Sequence, residues 1–325
     1  MPSSSKPTGP EAQSTVRFSV VIPAYNREGT VGRAIESALA QTYAPFEVIV
    51  VDDGSKDGTA AVIENFGSPV TLIRQPNGGA PVARNTGVRA AKGDWIAFLD
   101  SDDYWTPGHL ERVAAAIEGT GGAAHYYFTN IDMAENEGGR PQWERAQFSI
   151  EGPYQMLADG TPWVLRPRIP MMLQAAVFHR ERLLAEGGLW QDLPMRDDTH
   201  VFLRHGIARP ICAVAGIGTI QTSDDQSGGR LTTTISNRTL RYWRCSVRMW
   251  KDLLDRIPAG DAASRRLVRQ RLSTSYLRRG FLATREGARL AWIGGLAQSA
   301  WSHPPTFLRS VAKKLGIGPR EDLTA

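Results

Sequence analysis

Four short apolar runs in the first hundred residues each stop at a polar loop, and each loop leads towards a segment of helical spacing. The runs are Phe18–Ile22, Glu47–Val51, Val70–Ile73 and Trp95–Leu99. Strands this apolar are buried on both faces, and strands alternating with helices predict a parallel, doubly wound α/β sheet. That topology has a functional consequence. Parallel strands deliver their C-terminal loops to one edge, which is where open α/β sheets bind ligands.

The loops carry chemistry. After the first run stands Pro23-Ala24-Tyr25-Asn26, and after the second Asp52-Asp53-Gly54-Ser55-Lys56-Asp57-Gly58-Thr59. After the third come Asn77-Gly78-Gly79 and, on the following helix, Arg84-Asn85; after the fourth, Asp100-Ser101-Asp102-Asp103. Three carboxylates within four positions repel one another unless a cation neutralises them, and hard oxygen ligands suit Mg²⁺ or Mn²⁺. An Asx-turn before a helix cap is the plainer reading of such a cluster taken alone. Together the loops outline a nucleoside-diphosphate site: an aromatic to stack on a base, an acid to accept a base N–H, and a metal to grip the phosphates. Neither G-x-G-x-x-G nor G-x-x-x-x-G-K-[ST] follows the first run, which argues against dinucleotide and P-loop enzymes.

Further along, Thr30 is placed to cap a helix from Val31, and Thr106-Pro107 to open another. Strands are expected over 125–131, 174–179 and 211–220, and helices over 180–186 and 196–204. Residues 134–170 read as irregular, and 223–229 as the end of the compact domain. Leu240, Trp243, Val247, Trp250 and Leu254 form an apolar helical seam beside a basic stripe, Arg241, Arg244, Arg248 and Lys251. A second helix is expected over 262–284. Leu290–Leu296 reads as a short apolar stretch broken by Gly294-Gly295.

Composition is that of an ordinary globular protein, 42% hydrophobic and 22% charged. The net charge of +5 conceals an asymmetry: residues 226–325 hold 19 Lys and Arg against 6 Asp and Glu, while the rest hold 19 against 27. The basic part implies an anionic partner, whether a membrane surface, a lipid pyrophosphate or nucleic acid, and a solvated basic face is the plainer reading; of the partners, peripheral contact with an anionic membrane is the one carried forward. Two cysteines, Cys212 and Cys245, give neither a disulfide framework nor metal-site spacing and suggest a reducing, cytoplasmic setting. Residues 1–16 form a Ser/Pro-rich lead with no apolar core, and no run approaches the ~20 apolar residues a membrane span needs.

In this order and spacing the motifs resemble glycosyltransferase family 2, the inverting enzymes of the GT-A fold. The resemblance rests on Val20 to Asn26, Val50 to Thr59, Asn77-Gly78-Gly79 with Ala83-Arg84-Asn85-Thr86-Gly87, Gly93 to Asp103, and Arg196-Asp197-Asp198. It implies a catalytic domain over 17–230, with a nucleotide half to about 105 and an acceptor half after it; residues 231–325 carry no motif of the family and read from charge and helical spacing as a helical basic segment. It implies a nucleoside diphosphate sugar as donor, UDP before others, and a glycan or lipid-linked glycan hydroxyl as acceptor. Polysaccharide or cell-envelope synthesis is the implied setting.

Site roles follow from the same resemblance. Pro23, Tyr25 and Asn26 would line the base, with Tyr25 stacking. Asp53 would bind the base, with Asp52 shaping the loop or binding alongside; Asn77, Gly78, Arg84 and Ser101 would complete the nucleotide site. Asp102 would ligate the metal, Mn²⁺ or Mg²⁺, and Asp100 would hold the ribose or contact the metal through water. Asp103 is read as a helix cap. The family pair Glu-Asp is here Asp197-Asp198, with Asp198 the favoured base and Asp197 in support. His200 on the same helix is read first as packing. A sugar-1-phosphate nucleotidylyltransferase, which should carry a Gly-rich, Arg-containing first loop, and a non-catalytic nucleotide-sugar binding module, which should lack the acid pair, are the alternatives. Contact between copies through the C-terminal helices is a further expectation; nucleic acid is not an expected partner.

Overall fold

A computed structural model of the chain describes residues 16–133, 139–193, 195–222, 239–288 and 290–314. The N-terminal lead and the 223–238 boundary region, where one domain was expected to end, lie outside them.

The four apolar runs form β1 (Phe18–Ala24), β2 (Glu47–Asp52), β3 (Val70–Arg74) and β4 (Trp95–Phe98), mutually parallel in the order β3-β2-β1-β4. Every residue of β1 is buried, whereas β3 is half-exposed because it forms the sheet's edge. Helices α1 (Val31–Leu39), α2 (Thr59–Glu64), α3 (Ala80–Ala90) and α4 (His109–Gly119) alternate with the strands or follow them.

Beyond β4 the sheet becomes mixed. The two-residue β5 (Tyr104–Trp105) ends up at the far edge of the sheet. Next to β4 lies β8 (Ala176–His179), antiparallel to it, then β6 (Tyr126–Asp132), antiparallel to β8, then β9 (Ile211–Ile220), parallel to β6. β7 (Tyr154–Leu157) pairs with β9 inside the stretch expected to be irregular, between the short helices α5 (Gln142–Arg145) and α6 (Thr161–Val164). Because β8 runs against β4, its N-terminal approach falls on the same edge as the ends of β1 and β4. The C-terminal end of β9 returns there too.

The sheet divides the core into two layers, and strand alternation decides which side each residue joins. Val20, Ile22, Val48 and Val50 pack with α1, α2 and α4; Val21, Ile49 and Val51 pack with α3 on the other face. The second layer also takes in α7 (Arg180–Ala185), α8 (Asp197–Gly206), α9 (Leu240–Arg256) and α10 (Ala262–Arg285). Helices α9 and α10 therefore continue this core layer. Burying one Val, Leu, Ile, Phe or Met side chain contributes about 1.5–3 kcal/mol, and α9 buries Val247, Met249 and Leu253 along with Trp250. The seam drawn from the sequence is thus real but rotated, since Trp243 and Leu254 are only half-buried.

Three local expectations are corrected. Thr30 occupies the N-cap position of α1, but its side chain caps nothing. The helix expected at Thr106 starts at His109; the Thr106 hydroxyl instead donates to the Ile217 carbonyl at 2.8 Å, tying the loop to β9. Gly294-Gly295 does not break the last apolar stretch, which is helical as α11 (Ala291–Ser302). A Cβ on Gly295 would lie 3.1 Å from the Gly280 Cα, so this glycine allows two helices to approach. α12 (Pro304–Lys314) follows.

Candidate active site

A cleft of about 510 Å³ opens along the shared strand edge. Its walls include Pro23, Tyr25, Asn26, Asp53, Asn77, Arg84, Asp100, Ser101 and Asp102, together with Asp197 and Asp198. Most residues singled out from the sequence therefore converge on one space.

Tyr25 directly follows β1, is 41% exposed and lines the cleft. The loop behind it is fixed by backbone geometry. Asn26 takes a left-handed φ of 51°, donates its N–H to the Ser55 hydroxyl and accepts the Lys56 N–H. Gly54 needs its positive φ of 78°, and a Cβ there would meet the Asn77 nitrogen at 2.9 Å.

The Asp52-Asp53 pair divides its work. Asp52 is fully buried, accepts the Ser55 N–H at 2.9 Å and lies 3.5 Å from Arg74. It does not line the cleft, so of the two roles open to it the geometry matches loop-shaping. Asp53 does line the cleft and accepts from Gln75 Nε2 at 2.7 Å, the Gly78 N–H at 2.9 Å and the Gly79 N–H at 2.7 Å. A carboxylate has about four lone-pair positions, so one remains for a donor from outside. Gly78 accordingly serves by orienting Asp53.

Asp100, Asp102 and Asp103 each bring a carboxylate oxygen within 4.8 Å of the others. Their contacts separate them. Asp103 is buried, accepting from Gln174 Nε2 at 3.0 Å and the Thr222 N–H at 3.3 Å. It ties the loops after β4 and β9 together and does not cap α4, a correction to the sequence reading. Asp102 has its carboxylate 3.7 Å from Arg27, and its carbonyl accepts from the Thr222 hydroxyl at 2.6 Å. Asp100 accepts from Arg84 at 2.7 Å. An all-oxygen donor set at a strand end has the chemistry for a hard divalent cation, and Asp100 and Asp102, which line the cleft, could hold one.

Arg84 is no solvated helix arginine. It is buried, and it bridges Asp100 and Asp197, the latter at 3.3 Å. Burial works against its charge, but the two carboxylates outweigh that and raise its pKa. Asp197 is pushed up to about 6, chiefly by burial, with Arg84 opposing and the neighbouring Asp198 adding to the rise. Asp198, by contrast, is exposed in the first turn of α8, on the cleft wall, with one oxygen accepting the Thr199 N–H. Of the pair, Asp198 has the freedom to meet an incoming hydroxyl.

The residue before α8 was not anticipated. Arg196 lines the cleft in a left-handed conformation, φ 71°. Its guanidinium lies 5.0 Å from the Tyr242 ring centroid and 5.7 Å from that of Trp250, and donates to the Ser246 hydroxyl at 2.9 Å. His200, four residues on from Arg196, is bonded to Asp252 at 2.8 Å. Helix α9 thus grips the start of the acid-bearing helix. Arg27, Met172, Leu173, Gln174 and Gln221 also line the cleft without having been foreseen. Arg27 was in view directly after Asn26; Met172–Gln174 needed knowledge that β8 inserts antiparallel beside β4.

Residues 19–175 match the family described as Glycosyl transferase family 2. The chain is 40% identical over 139 residues to the succinoglycan biosynthesis protein ExoW of Rhizobium meliloti, covering 37% of this chain and 44% of that protein. It is 46% identical over 102 residues to an uncharacterised glycosyltransferase of Haemophilus influenzae, covering 31% and 34%. The chain thus spans less than half the length of these relatives. Among solved structures it is similar to residues 1–349 of S. aureus TarS in complex with UDP-GlcNAc, with a TM-score of 0.69, 16% identity and 95% of both chains covered. It is also similar to the mannosyltransferase PcManGT of Pyrobaculum calidifontis in complex with GDP-Man and Mn²⁺, with a TM-score of 0.52, 18% identity and 92% and 87% covered. These likenesses establish the fold as GT-A type.

Proposed function

We propose, since residues 19–175 match glycosyltransferase family 2, that the chain transfers a sugar with inversion from a UDP-sugar to a hydroxyl of a glycan or lipid-linked glycan. One observation carries the reading: an exposed aromatic, a buried carboxylate, a carboxylate pair at a strand end and an exposed acid at a helix start share one cleft.

Tyr25 stacks on the uracil, and the free lone pair of Asp53 accepts a base N–H. A divalent cation held by Asp102 and Asp100 would supply the charge that offsets the leaving diphosphate. Arg84 keeps Asp100 oriented and neutralises Asp197. Asp198 takes the proton of the acceptor hydroxyl as that oxygen bonds to the anomeric carbon. The bond from the anomeric carbon to the phosphate oxygen breaks with its electron pair going to UDP, so configuration inverts in one displacement.

Support for a nucleotide-sugar donor comes from the folds that resemble this one, since TarS is in complex with UDP-GlcNAc. Support for polysaccharide synthesis comes from the relative named for succinoglycan. The test is nucleotide release from a panel of UDP- and GDP-sugars, with and without Mn²⁺. Release from one UDP-sugar that depends on the cation is expected. No release from any donor, with or without acceptor extracts, would overturn the assignment of transfer.

A further inference from the structure

We infer that the outer face of α11 is a docking surface for an anionic lipid bilayer. The inference stands apart from the transfer reading, because it uses none of the cleft residues.

α11 buries only Gly295 and Ser299 against α10. On a helix with 3.6 residues per turn the opposite side carries Ile293, Gly294, Ala297 and Trp301, with Leu290 just before the first turn. All five are exposed, and all are apolar. Trp301 is 91% exposed, Leu290 75% and Ile293 55%, while α12 adds Leu308 at 62%. Residues 290–302 contain no charged side chain. Isolated exposed apolar residues need no explanation, but an aligned outward stripe of them does.

The surroundings say what covers it. Residues 262–314 contain 11 Lys and Arg and a single acidic residue, Glu286. Arg266, Arg309 and Arg269 all exert their charge on His303, at the Trp301 end of the helix. Arg279 holds Gln298 from α10, and Arg285 lies over the Phe281 ring at 5.9 Å. An apolar ridge bearing a tryptophan on so basic a helical segment matches a bilayer interface, with apolar side chains below the headgroups and cations at the phosphates. A second copy fits poorly, since face-to-face contact would bring two basic segments together. No helix among the described residues is long and apolar enough to cross a membrane, so contact is peripheral. The arginine stripe expected from the sequence to serve this purpose is partly diverted. Arg248 lies 5.0 Å from the Trp190 ring centroid and donates to the Asp192 carbonyl.

The test is co-sedimentation of the full chain with two kinds of vesicle. One is phosphatidylcholine alone; the other contains about a third phosphatidylglycerol, to which each nearby basic residue adds about fivefold in partitioning. Binding to the anionic vesicles at low salt, release at high salt and none to neutral vesicles is expected. Ile293→Ser/Trp301→Ser should cut partitioning by about tenfold or more, from the lost apolar burial. Arg266→Gln/Arg269→Gln/Arg309→Gln should do so through charge, and both variants should retain the thermal unfolding midpoint and donor hydrolysis of the parent. Failure of the parent to sediment with anionic vesicles at low salt overturns the proposal. So does unchanged binding by the serine variant. So does a dimer in sedimentation equilibrium that the serine variant dissolves, which would assign the ridge to a second copy.

Discussion

Asp53 and Arg84 face the same cleft and are held in opposite ways. Asp53 is fixed by Gln75 and two backbone N–H groups, all within 26 residues of it along the chain. Arg84 is fixed by two carboxylates on different elements, one of them 113 residues away. The cleft wall around Asp53 is thus built from loops that shape themselves, while the wall bearing Asp198 is set by long-range ion pairs and by helix α9. Loss of one charge should act locally in the first and spread in the second.

The largest effect belongs to the carboxylates after β4. Asp102→Ala should abolish turnover, and Asp102→Asn should be nearly as damaging because volume is kept and only charge is lost. Both should unfold at the parent's temperature, since Asp102 is only half-buried at a loop. Turnover within tenfold of the parent in either variant would remove Asp102 from the site.

Next comes the acid pair. Asp198→Asn should lower kcat by about 10² to 10⁴, the usual contribution of a general base, with UDP affinity little changed. Asp197→Asn should lose less, because Asp197 faces Arg84. A larger kcat loss at Asp197 would exchange the two roles.

Arg84→Met tests the spread directly. Removing one partner of a buried ion pair typically costs about 3–5 kcal/mol, whereas an apolar replacement of both is often neutral. Chemical denaturation should show a loss of that order for Arg84→Met, and Arg84→Met/Asp197→Leu should recover most of it without recovering turnover. Equal stability of the single variant and the parent would mean the bridge does not hold the two walls together.

The smallest effect concerns α9. Burial pushes the pKa of His200 down in spite of Asp252, and although burial alone would raise Asp252, hydrogen bonds from His200 and Arg256 pull it down to about 2. In both cases the unfolded chain binds protons that the folded state refuses. The contribution of these two groups to stability is therefore full above about pH 6.5, falls as pH drops through that value, and falls again between about pH 4 and 2. Melting temperature should be lower at about pH 5 than at pH 7, and His200→Gln should shrink the difference. An undiminished difference in that variant would place the titrating group elsewhere.

The same contrast explains what was legible in the sequence. Strand β1, the Asp52-Asp53-Gly54 turn and the Asp100–Asp103 cluster announce themselves because local apolar runs and turn residues dictate them. The parallel order of β1 to β4 follows from their alternation with helices. The insertion of β8 beside β4 does not, because antiparallel pairing of distant strands leaves no local mark; so Met172–Gln174 were missed. Arg196 was missed for a related reason: its left-handed backbone and its place against Tyr242 and Trp250 depend on where α9 docks. The charge imbalance correctly drew attention to the C-terminal helices but could not say which face is free.

We propose that the carboxylates after β4 bind a nucleoside diphosphate through a divalent cation. Isothermal titration of UDP into the full chain, with Mn²⁺ and with chelator, tests it most directly. Tight binding only with Mn²⁺, lost in Asp102→Asn and kept in Asp198→Asn, is the expected result. UDP binding of equal strength with chelator and with Mn²⁺, or unchanged in Asp102→Asn, would contradict it.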